Sequence, residues 1–462
     1  MIKPMKFLQT ILLSAVAILI PGLNPKTFSG PTIQSSGDLK LVHAGTLFTG
    51  PRQPVLHQQT ILIRGKLIEA IRPGYLNPSE LSEPSAEVID LMDSFVMPGL
   101  IDTHVHLTTS NLASFLTQPV TASDAELAVM ATVNAEKLLE AGFTTVMDMG
   151  TGRRSHERAI YAVRDAIARG EISGPEVLAA GSPLSATGLS RTGLFRDDVD
   201  RAVGPEAVCD SPDSCRYAVR EQVRRGANFI NVFNTGSLLS DPSAVQSFTE
   251  AELRAIVETA QMLQRVVVAD GGNSPVSAAG VNNAIKAGFQ IVDTVTFPDA
   301  QTFELLKKYH GYFSPHIYAL QAAVGDTSET LQNGSMGWLP LPILQKLYAL
   351  KNQTPSALAA YQEGVKLILG SDSGVFPHGE NAHELVAYVN LGISPADTLA
   401  AATLYPAEAH HISDRTGSIE PGKEADIIAM KKNPLEDMKA VLDVTFVMSD
   451  GRVHLRKRDN RH

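Results

Sequence analysis

The stretch VMPGLIDTHVHL (residues 96–107) contains the features that decide the fold. It has the pattern of a short apolar β-strand that ends in two histidines, His104 and His106. Residues two apart in a strand point to the same side, so the two imidazoles should converge. Convergent polar side chains at the C-terminal end of a strand are typical of the active-site face of a parallel barrel. The stretch therefore predicts a barrel strand that carries a pair of metal ligands.

Seven further apolar stretches follow this one, and they alternate with amphipathic helical stretches. The eight strand candidates are LIDTHVHL, FTTVMDMG, EVLAAG, FINVFN, RVVVAD, IVDTVTF, YFSPHIYAL and LILGSDSG. Such an alternation predicts an α/β protein with a (β/α)8 TIM-like barrel, here over residues 99–410. On either side, residues 38–98 and 411–456 show short strands and turns instead. We predict that these two ends form one small composite β-sandwich domain.

Composition limits the functional class. The chain has 462 residues, enough for a barrel of roughly 250 residues and a smaller second domain. Hydrophobic residues make up 44% and charged residues 19%, which excludes a mainly disordered chain. The net charge of −10 argues against a nucleic-acid partner. The sequence has no G-x-S-x-G elbow, which disfavours a serine hydrolase.

The first 30 residues have the pattern of a targeting segment. Lys3 and Lys6 precede the apolar run of residues 11–20, and Pro21 ends that run. A basic region followed by a short apolar run predicts a secretory signal, and hence a secreted or periplasmic protein. The run is shorter than the ~20 residues that a membrane span needs. An uncleaved N-terminal anchor is the alternative, and it would be the chain's contact with a membrane.

The chain has two cysteines, Cys209 and Cys215, within the loop-like segment VCDSPDSCR. Export would place them in an oxidising compartment, where a local disulfide can form. Two free thiols are the equal alternative. Two cysteines alone do not make a zinc site.

A third metal-ligand candidate lies near the end of the predicted barrel. The stretch LILGSDSG (residues 367–374) places Asp372 at the tip of the eighth apolar strand. Two histidines and one carboxylate form an open site for a catalytic metal, with water as a fourth ligand. We therefore expect His104, His106 and Asp372 to bind one divalent metal, with zinc as the first choice.

These motifs resemble those of the amidohydrolase superfamily, in its imidazolonepropionase-like and Xaa-dipeptidase (prolidase-like) branch. Besides residues 96–107, the resemblance rests on GFTTVMDMG (142–150), SGPEVLAAGSPLSATG (173–188), GVFPHGENAHEL (374–385) and GSIEPGKEADIIAM (417–430). It implies a (β/α)8 barrel with a composite β-sandwich, and a hydrolase acting on C–N bonds of a small amide or peptide-like substrate. It also implies that Asp372 relays the proton, first as general base and then as general acid. Whether the protein forms a homo-oligomer is left open.

The sequence departs from this family at several ligand positions. The resemblance implies two metals, with a carboxylated lysine on strand 4 and histidines on strands 5 and 6. Those strands instead read Ile230-Asn231-Val232, Ala269-Asp270-Gly271-Gly272 and Asp293-Thr294-Val295. A shifted register cannot supply the missing types, because no histidine lies between 156 and 310 and no lysine between 137 and 286. We therefore expect at most one metal.

Three alternatives follow for the site. In the first, one metal binds the two histidines and Asp372, which then serves as ligand and base at once. In the second, His316, Asp270 or Asp293 completes the site. In the third, the chain is a catalytically inactive relative that binds a small ligand without turnover.

Several other residues have candidate roles around the site. The resemblance makes His378 and Asn381, on the loop after the last strand, candidates for substrate binding. We assign His316 to the substrate side as well. Asp102, within the first barrel strand, is expected to make structural hydrogen bonds or to orient a histidine.

Overall fold

The computed structural model describes residues 38–109, 118, 121–150, 156–188, 196, 198–199, 207–236, 245–271, 277–293, 298–351 and 355–457. The predicted signal segment, residues 1–30, lies outside the described residues. Across the described ranges, no helix has the length and apolar character needed to cross a membrane.

Fifteen strands are formed by the described residues. They are β1 (Leu39–Leu47), β2 (Leu56–Arg64), β3 (Leu67–Pro73), β4 (Glu87–Pro98), β5 (Leu100–Val105), β6 (Phe143–Asp148), β7 (Glu176–Ala179), β8 (Ile230–Phe233), β9 (Val267–Asp270), β10 (Ile291–Asp293), β11 (Tyr312–Ser314), β12 (Lys366–Leu367), β13 (Ile427–Met430), β14 (Val444–Ser449) and β15 (Arg452–Arg456).

Twelve α-helices occur in the same ranges, mostly between the strands from β5 to β12. They are α1 (Asp124–Glu140), α2 (His156–Ala168), α3 (Pro212–Arg225), α4 (Glu250–Met262), α5 (Ala279–Ala287), α6 (Ala300–Lys308), α7 (Ile317–Ala323), α8 (Leu341–Lys351), α9 (Pro355–Gln362), α10 (His383–Leu391), α11 (Pro395–Ala401) and α12 (Leu404–Ala409). Short 3₁₀ helices span Pro78–Leu81, Leu331–Asn333 and Met438–Leu442.

Strands from both ends of the chain share one seven-stranded sheet, in the order β15-β14-β13-β4-β1-β2-β3. β4 lies at the join, where it pairs in parallel with β1 and antiparallel with β13. Apolar side chains such as Val42, Ile61 and Ile427 pack together on this sheet. The sheet therefore unites residues 39–98 with residues 427–456, while the domain boundaries stated above remain predictions.

The other eight strands are parallel. β5–β7 form a three-stranded sheet, and β8–β12 form a five-stranded one. Isolated bridges join these sheets at both edges, from Leu184 to Val232 in β8 and from Val105 in β5 to Ser373. The predicted α/β class is confirmed. Closure into a single barrel remains a prediction, which these bridges support.

Local signals place the ends of the helices. α1 begins at Ser123, whose side chain accepts the N–H of Glu126 while the Glu126 carboxylate accepts the Ser123 N–H. This reciprocal pair satisfies two N–H groups that the first turn leaves unbonded. α3 ends at Gly226, whose φ of 118° lies in a region that glycine adopts readily.

Cys209 and Cys215 form a disulfide, with their Cα atoms 4.9 Å apart. Of the two alternatives left open by the sequence, the structure has the bonded one. Both cysteines are buried in an apolar cluster with Val219 of α3 and Ile230 of β8. The disulfide therefore links the segment before α3 to the first turn of that helix.

Candidate metal centre

Five polar side chains meet at the C-terminal ends of the parallel strands. His104 lies in β5 and His106 follows it, β10 ends at Asp293, and the turns after β11 and β12 supply His316 and Asp372. Three of these side chains are fully buried, whereas those of His106 and Asp372 keep 20% and 17% of their surface exposed. The cluster is therefore a buried polar group that is accessible on the side of these two residues.

His104 and His106 are fixed in the same tautomer. His106 Nδ1 lies 2.6 Å from the carbonyl oxygen of Gly150, and His104 Nδ1 lies 2.8 Å from Asp293 Oδ2. Because these oxygens only accept hydrogen bonds, each Nδ1 carries the hydrogen and each neutral ring has its lone pair on Nε2. The two Nε2 atoms are 3.2 Å apart. Two nitrogen lone pairs at this distance can bind the same cation.

Asp372 completes a triangle with these nitrogens. Its Oδ1 lies 3.2 Å from His106 Nε2 and 3.5 Å from His104 Nε2. Tetrahedral zinc, with bonds of about 2.0–2.1 Å, keeps neighbouring ligand atoms roughly 3.3 Å apart. The three residues therefore fit a divalent cation, and the structure brings together the whole predicted ligand set.

Asp293 contacts two imidazoles at once. Besides its hydrogen bond from His104 Nδ1, its Oδ1 lies 2.5 Å from His316 Nε2. On the other side of the His316 ring, Nδ1 lies 3.9 Å from Asp372 Oδ2. Carboxylates and imidazoles thus alternate around a closed ring. Of the residues considered for completing the site, Asp293 and His316 reach it.

The charges in this ring stabilise one another. Burial by itself would raise the pKa of Asp372, but contacts with His106 and His316 outweigh burial and lower it. The pKa of Asp293 is likewise lowered, because the charges of His316 and His104 outweigh burial. Burial would lower the pKa of His316, but Asp293 holds it well above the ordinary value. The two carboxylates and the His316 imidazole therefore each favour the charged form of the other.

Asp102 ties three segments together beneath the cluster. Its Oδ1 accepts the backbone N–H groups of His104 (3.1 Å) and Ser371 (3.0 Å), and its Oδ2 accepts Asn381 Nδ2–H (2.7 Å). Burial raises the pKa of Asp102, although these donors partly offset it. The carboxylate makes the structural hydrogen bonds expected of it, and they hold β5, the turn after β12 and the next loop in register.

His378 and Asn381 are buried and bonded to protein groups. The His378 ring nitrogens contact the carbonyl oxygen of Thr109 (2.8 Å) and Ser373 Oγ (3.1 Å), and burial lowers the pKa of His378 to about 4. Asn381 Nδ2 also donates to Ser371 Oγ at 2.8 Å, and its Oδ1 accepts a backbone N–H of its own loop. These contacts anchor the loop beside the cluster. Substrate binding by either residue remains a prediction.

Asn231 and Asp270 occupy neighbouring strand ends. Asn231 Nδ2 donates to the carbonyl oxygen of Met149 at 3.1 Å, which ties β8 to the end of β6. Asp270 pairs residue for residue with Asp293, and burial raises its pKa. Among the described residues, Asp270 belongs to no group of three or more His, Cys, Asp or Glu residues whose ligand atoms lie within 4.8 Å of one another.

Asp148 is a supporting residue that the sequence analysis did not single out. It is the last residue of β6 and accepts the backbone N–H groups of Leu107 (2.8 Å) and Gly150 (3.0 Å). It thereby positions the carbonyl group of Gly150 that fixes the tautomer of His106. Its signal was present in the sequence, because Asp148 ends an apolar strand just as Asp293 does.

Glu384 is a second residue that was missed. This fully buried side chain of α10 accepts the backbone N–H groups of Ile317 (2.8 Å) and Tyr318 (2.6 Å), directly after His316. Burial raises the pKa of Glu384 to about 7. The sequence carried no signal for it, because a glutamate within a helix normally faces solvent.

A cavity of about 600 Å³ lies away from the cluster, where the seven-stranded sheet meets α2 and β7. The charged side chains lining it include Lys66, Arg164, Glu176, Arg415, Glu424 and Asp426. None of the five cluster residues lines this cavity, so the candidate metal centre is a separate feature.

Comparisons with known proteins agree with this geometry. A model of the amidohydrolase family matches residues 95–454. Ochratoxinase from Aspergillus niger is 30% identical, over 92% of this chain and 88% of the relative. The crystal structure of a Xaa-Pro dipeptidase with bound methionine in the active site is also 30% identical, with a TM-score of 0.79 over 90% of this chain and 100% of that one. The A. niger ochratoxinase structure has a TM-score of 0.75 at 26% identity, over 91% of this chain and 96% of that one. The resemblance inferred from the motifs is confirmed, and the chain belongs to the amidohydrolase family.

Proposed function

We propose that this protein is a hydrolase that cleaves a C–N bond, of the amide or peptide type, in a small substrate. One divalent cation, zinc by preference, would bind at His104, His106 and Asp372. The observation that carries the proposal is the triangle of two Nε2 lone pairs and one carboxylate oxygen, with edges of 3.2–3.5 Å. Similarity to a Xaa-Pro dipeptidase and to ochratoxinase supports the reaction class.

A cation bound by these three residues would polarise a carbonyl group and lower the pKa of a water molecule. Asp372 can serve as ligand and base together because its two oxygens face different partners. Oδ1 lies beside the histidine nitrogens, whereas Oδ2 faces His316 Nδ1 at 3.9 Å. Oδ2 can therefore accept a proton from the attacking water and return it to the departing nitrogen. The lowered pKa of Asp372 keeps the carboxylate ionised for the first of these steps.

Backbone conformation supports a functional role for this region. His316 and Asp372 have φ values of 50° and 59°, in the left-handed region that residues with a side chain seldom adopt. Such strain persists where the surrounding structure imposes it, and it is concentrated at functional sites. Here it places two side chains, from the turns after β11 and β12, beside His104.

The test combines a measurement of metal content with an assay of hydrolysis. The purified protein, as isolated and after reloading with zinc, is analysed for metal and assayed against dipeptides and N-acyl amino acids. We expect about one zinc per chain, and hydrolysis that His104→Ala and Asp372→Asn abolish. His57→Ala, which alters an exposed histidine of β2, is the matched control and should keep both properties.

The alternative function gives different results in the same experiment. No zinc under either condition would overturn the proposed hydrolase. Binding of the same dipeptides without turnover would then favour the inactive, ligand-binding relative.

We also propose export to a secreted or periplasmic location. The proposal rests on the sequence of residues 1–30, and the Cys209–Cys215 disulfide supports it because such bonds persist in oxidising compartments. Fractionation of cells that produce the full chain tests it, and retention in the cytoplasm would contradict it.

A further inference from the structure

The contacts of Asp293 are too short for those of a metal ligand. Two atoms that bind the same divalent cation lie roughly 3.3 Å apart in a tetrahedral site. Asp293 Oδ2 lies 2.8 Å from His104 Nδ1, and Asp293 Oδ1 lies 2.5 Å from His316 Nε2. The first is the distance of a charge-assisted hydrogen bond from an imidazole N–H, and the second is a close ion-pair contact.

Each oxygen of Asp293 therefore faces an imidazole, and Oδ2 accepts a hydrogen bond from His104. Its side chain is 1% exposed, and a buried carboxylate is costly unless it is paired. The two histidines meet that requirement from opposite directions, His104 from β5 and His316 from the turn after β11.

We propose that Asp293 is a positioning residue, which directs His104 Nε2 toward the metal-binding triangle and holds His316 in place beside Asp372. The part of this inference that concerns metal binding rests on the proposed function. It assigns to Asp293 the task of selecting the His104 tautomer rather than of binding the cation. Because Asp293 Oδ2 is bonded to His104 Nδ1, we place the cation in the triangle of His104, His106 and Asp372. The second group of possible ligands, His104, Asp293 and His316, is then the alternative that the experiments below test.

Three further contacts hold His316 in this arrangement. Glu384 accepts the N–H groups of Ile317 and Tyr318, which fixes the turn that follows His316. Gly370 lies against the ring, since a Cβ at that position would be 2.7 Å from His316 Nε2 and 3.1 Å from His104 Cβ. The imidazole is thus confined between Asp293 and the end of β12, and its position is set before any cation binds.

The first test uses the unaltered full-length protein with ¹⁵N-labelled histidine. In the metal-free protein, His104 Nδ1–H should give a strongly downfield proton signal because it donates to a buried carboxylate. Comparison with His104→Ala and His106→Ala assigns the signal. Adding zinc should leave it in place. Loss of the signal when zinc binds would overturn the inference, because Asp293 would then have moved from the histidine to the metal.

The second test compares variants by their zinc affinity, measured in competition with a coloured chelator. Asp293→Asn, which keeps the shape of the side chain, should weaken zinc binding about 10–100-fold, as for other residues that orient a ligand. Asp270→Asn removes a carboxylate from the paired position on β9, so it separates loss of charge from loss of the contact. We expect Asp270→Asn to weaken zinc binding less than Asp293→Asn.

The outcomes separate this inference from the proposed function. Two zinc ions per wild-type chain, falling to one in Asp293→Ala, would make Asp293 a ligand and overturn the inference while the hydrolase stands. No zinc at all would overturn the proposed function. The His104 signal of the metal-free protein would then still decide the inference, because Asp293→Asn should remove that signal if Asp293 selects the tautomer.

Discussion

Gly370→Ala should damage the metal centre without replacing any proposed ligand. A Cβ on residue 370 would lie 2.7 Å from His316 Nε2 and closer still to Ser314 Oγ, whereas nonbonded atoms keep about 3.5 Å. The His316 ring would have to move by roughly 0.8 Å. Because the ring already lies 2.5 Å from Asp293 Oδ1, it has no room to move toward that carboxylate, so its orientation between Asp293 and Asp372 must change. Overpacking of this kind costs about 1–3 kcal/mol of the free energy of unfolding, which is roughly a 5- to 150-fold change in the folding equilibrium.

Gly364→Ala is the control for this substitution. Gly364 precedes β12, has a φ of +81°, and would place a new Cβ in open space. It should lose about 1–2 kcal/mol from left-handed backbone strain alone. Stability therefore does not separate the two variants, but zinc affinity does. We expect about a tenfold or greater loss of zinc affinity in Gly370→Ala and none in Gly364→Ala. Wild-type zinc affinity in Gly370→Ala would refute the packing argument.

Three further predictions concern stability. Asn381→Ala should lower the free energy of unfolding by about 1–3 kcal/mol, because the buried Asp102 carboxylate loses a hydrogen-bond donor. Denaturant unfolding at pH 7 measures this change, and unchanged stability would contradict it. Burial raises the pKa of Asp426 to about 7, so this group favours folding at low pH, and that contribution is lost as the pH rises from about 4 to about 7. Asp426→Asn, which resembles the protonated acid, should flatten this part of a plot of stability against pH, and an identical slope in both proteins would argue against it. Cys209→Ser should lower the free energy of unfolding by about 2 kcal/mol, because it opens the short loop closed with Cys215. A reductant should lower the melting temperature of the wild type to that of the variant. Equal melting temperatures of wild type and variant without reductant would exclude the effect.

The sequence alone predicted the α/β class and the three residues that converge on the candidate metal centre. His104 and His106 are recognisable because the two-residue period of a strand places them on one side. Asp372 is recognisable because it ends an apolar strand. Asp102 was also interpreted correctly as a residue that makes structural hydrogen bonds. Each of these patterns is formed by residues that are close together in the chain. It can therefore be recognised without knowing how distant segments pack.

The role of Asp293 and the presence of Glu384 depended on the tertiary structure. Asp293 and Asp270 look alike in the sequence, since each ends an apolar strand, and the structure shows that Asp293 accepts a hydrogen bond from His104 Nδ1. Which of the two meets the histidine depends on how strands distant in the chain are placed around the parallel sheets. Glu384 supports the turn after His316 because α10 packs there, which no periodicity within α10 reveals. The sequence thus determined which groups are chemically available, whereas the packing of distant segments decided which of them touch, because hydrogen bonds and metal binding require contact within about 3 Å.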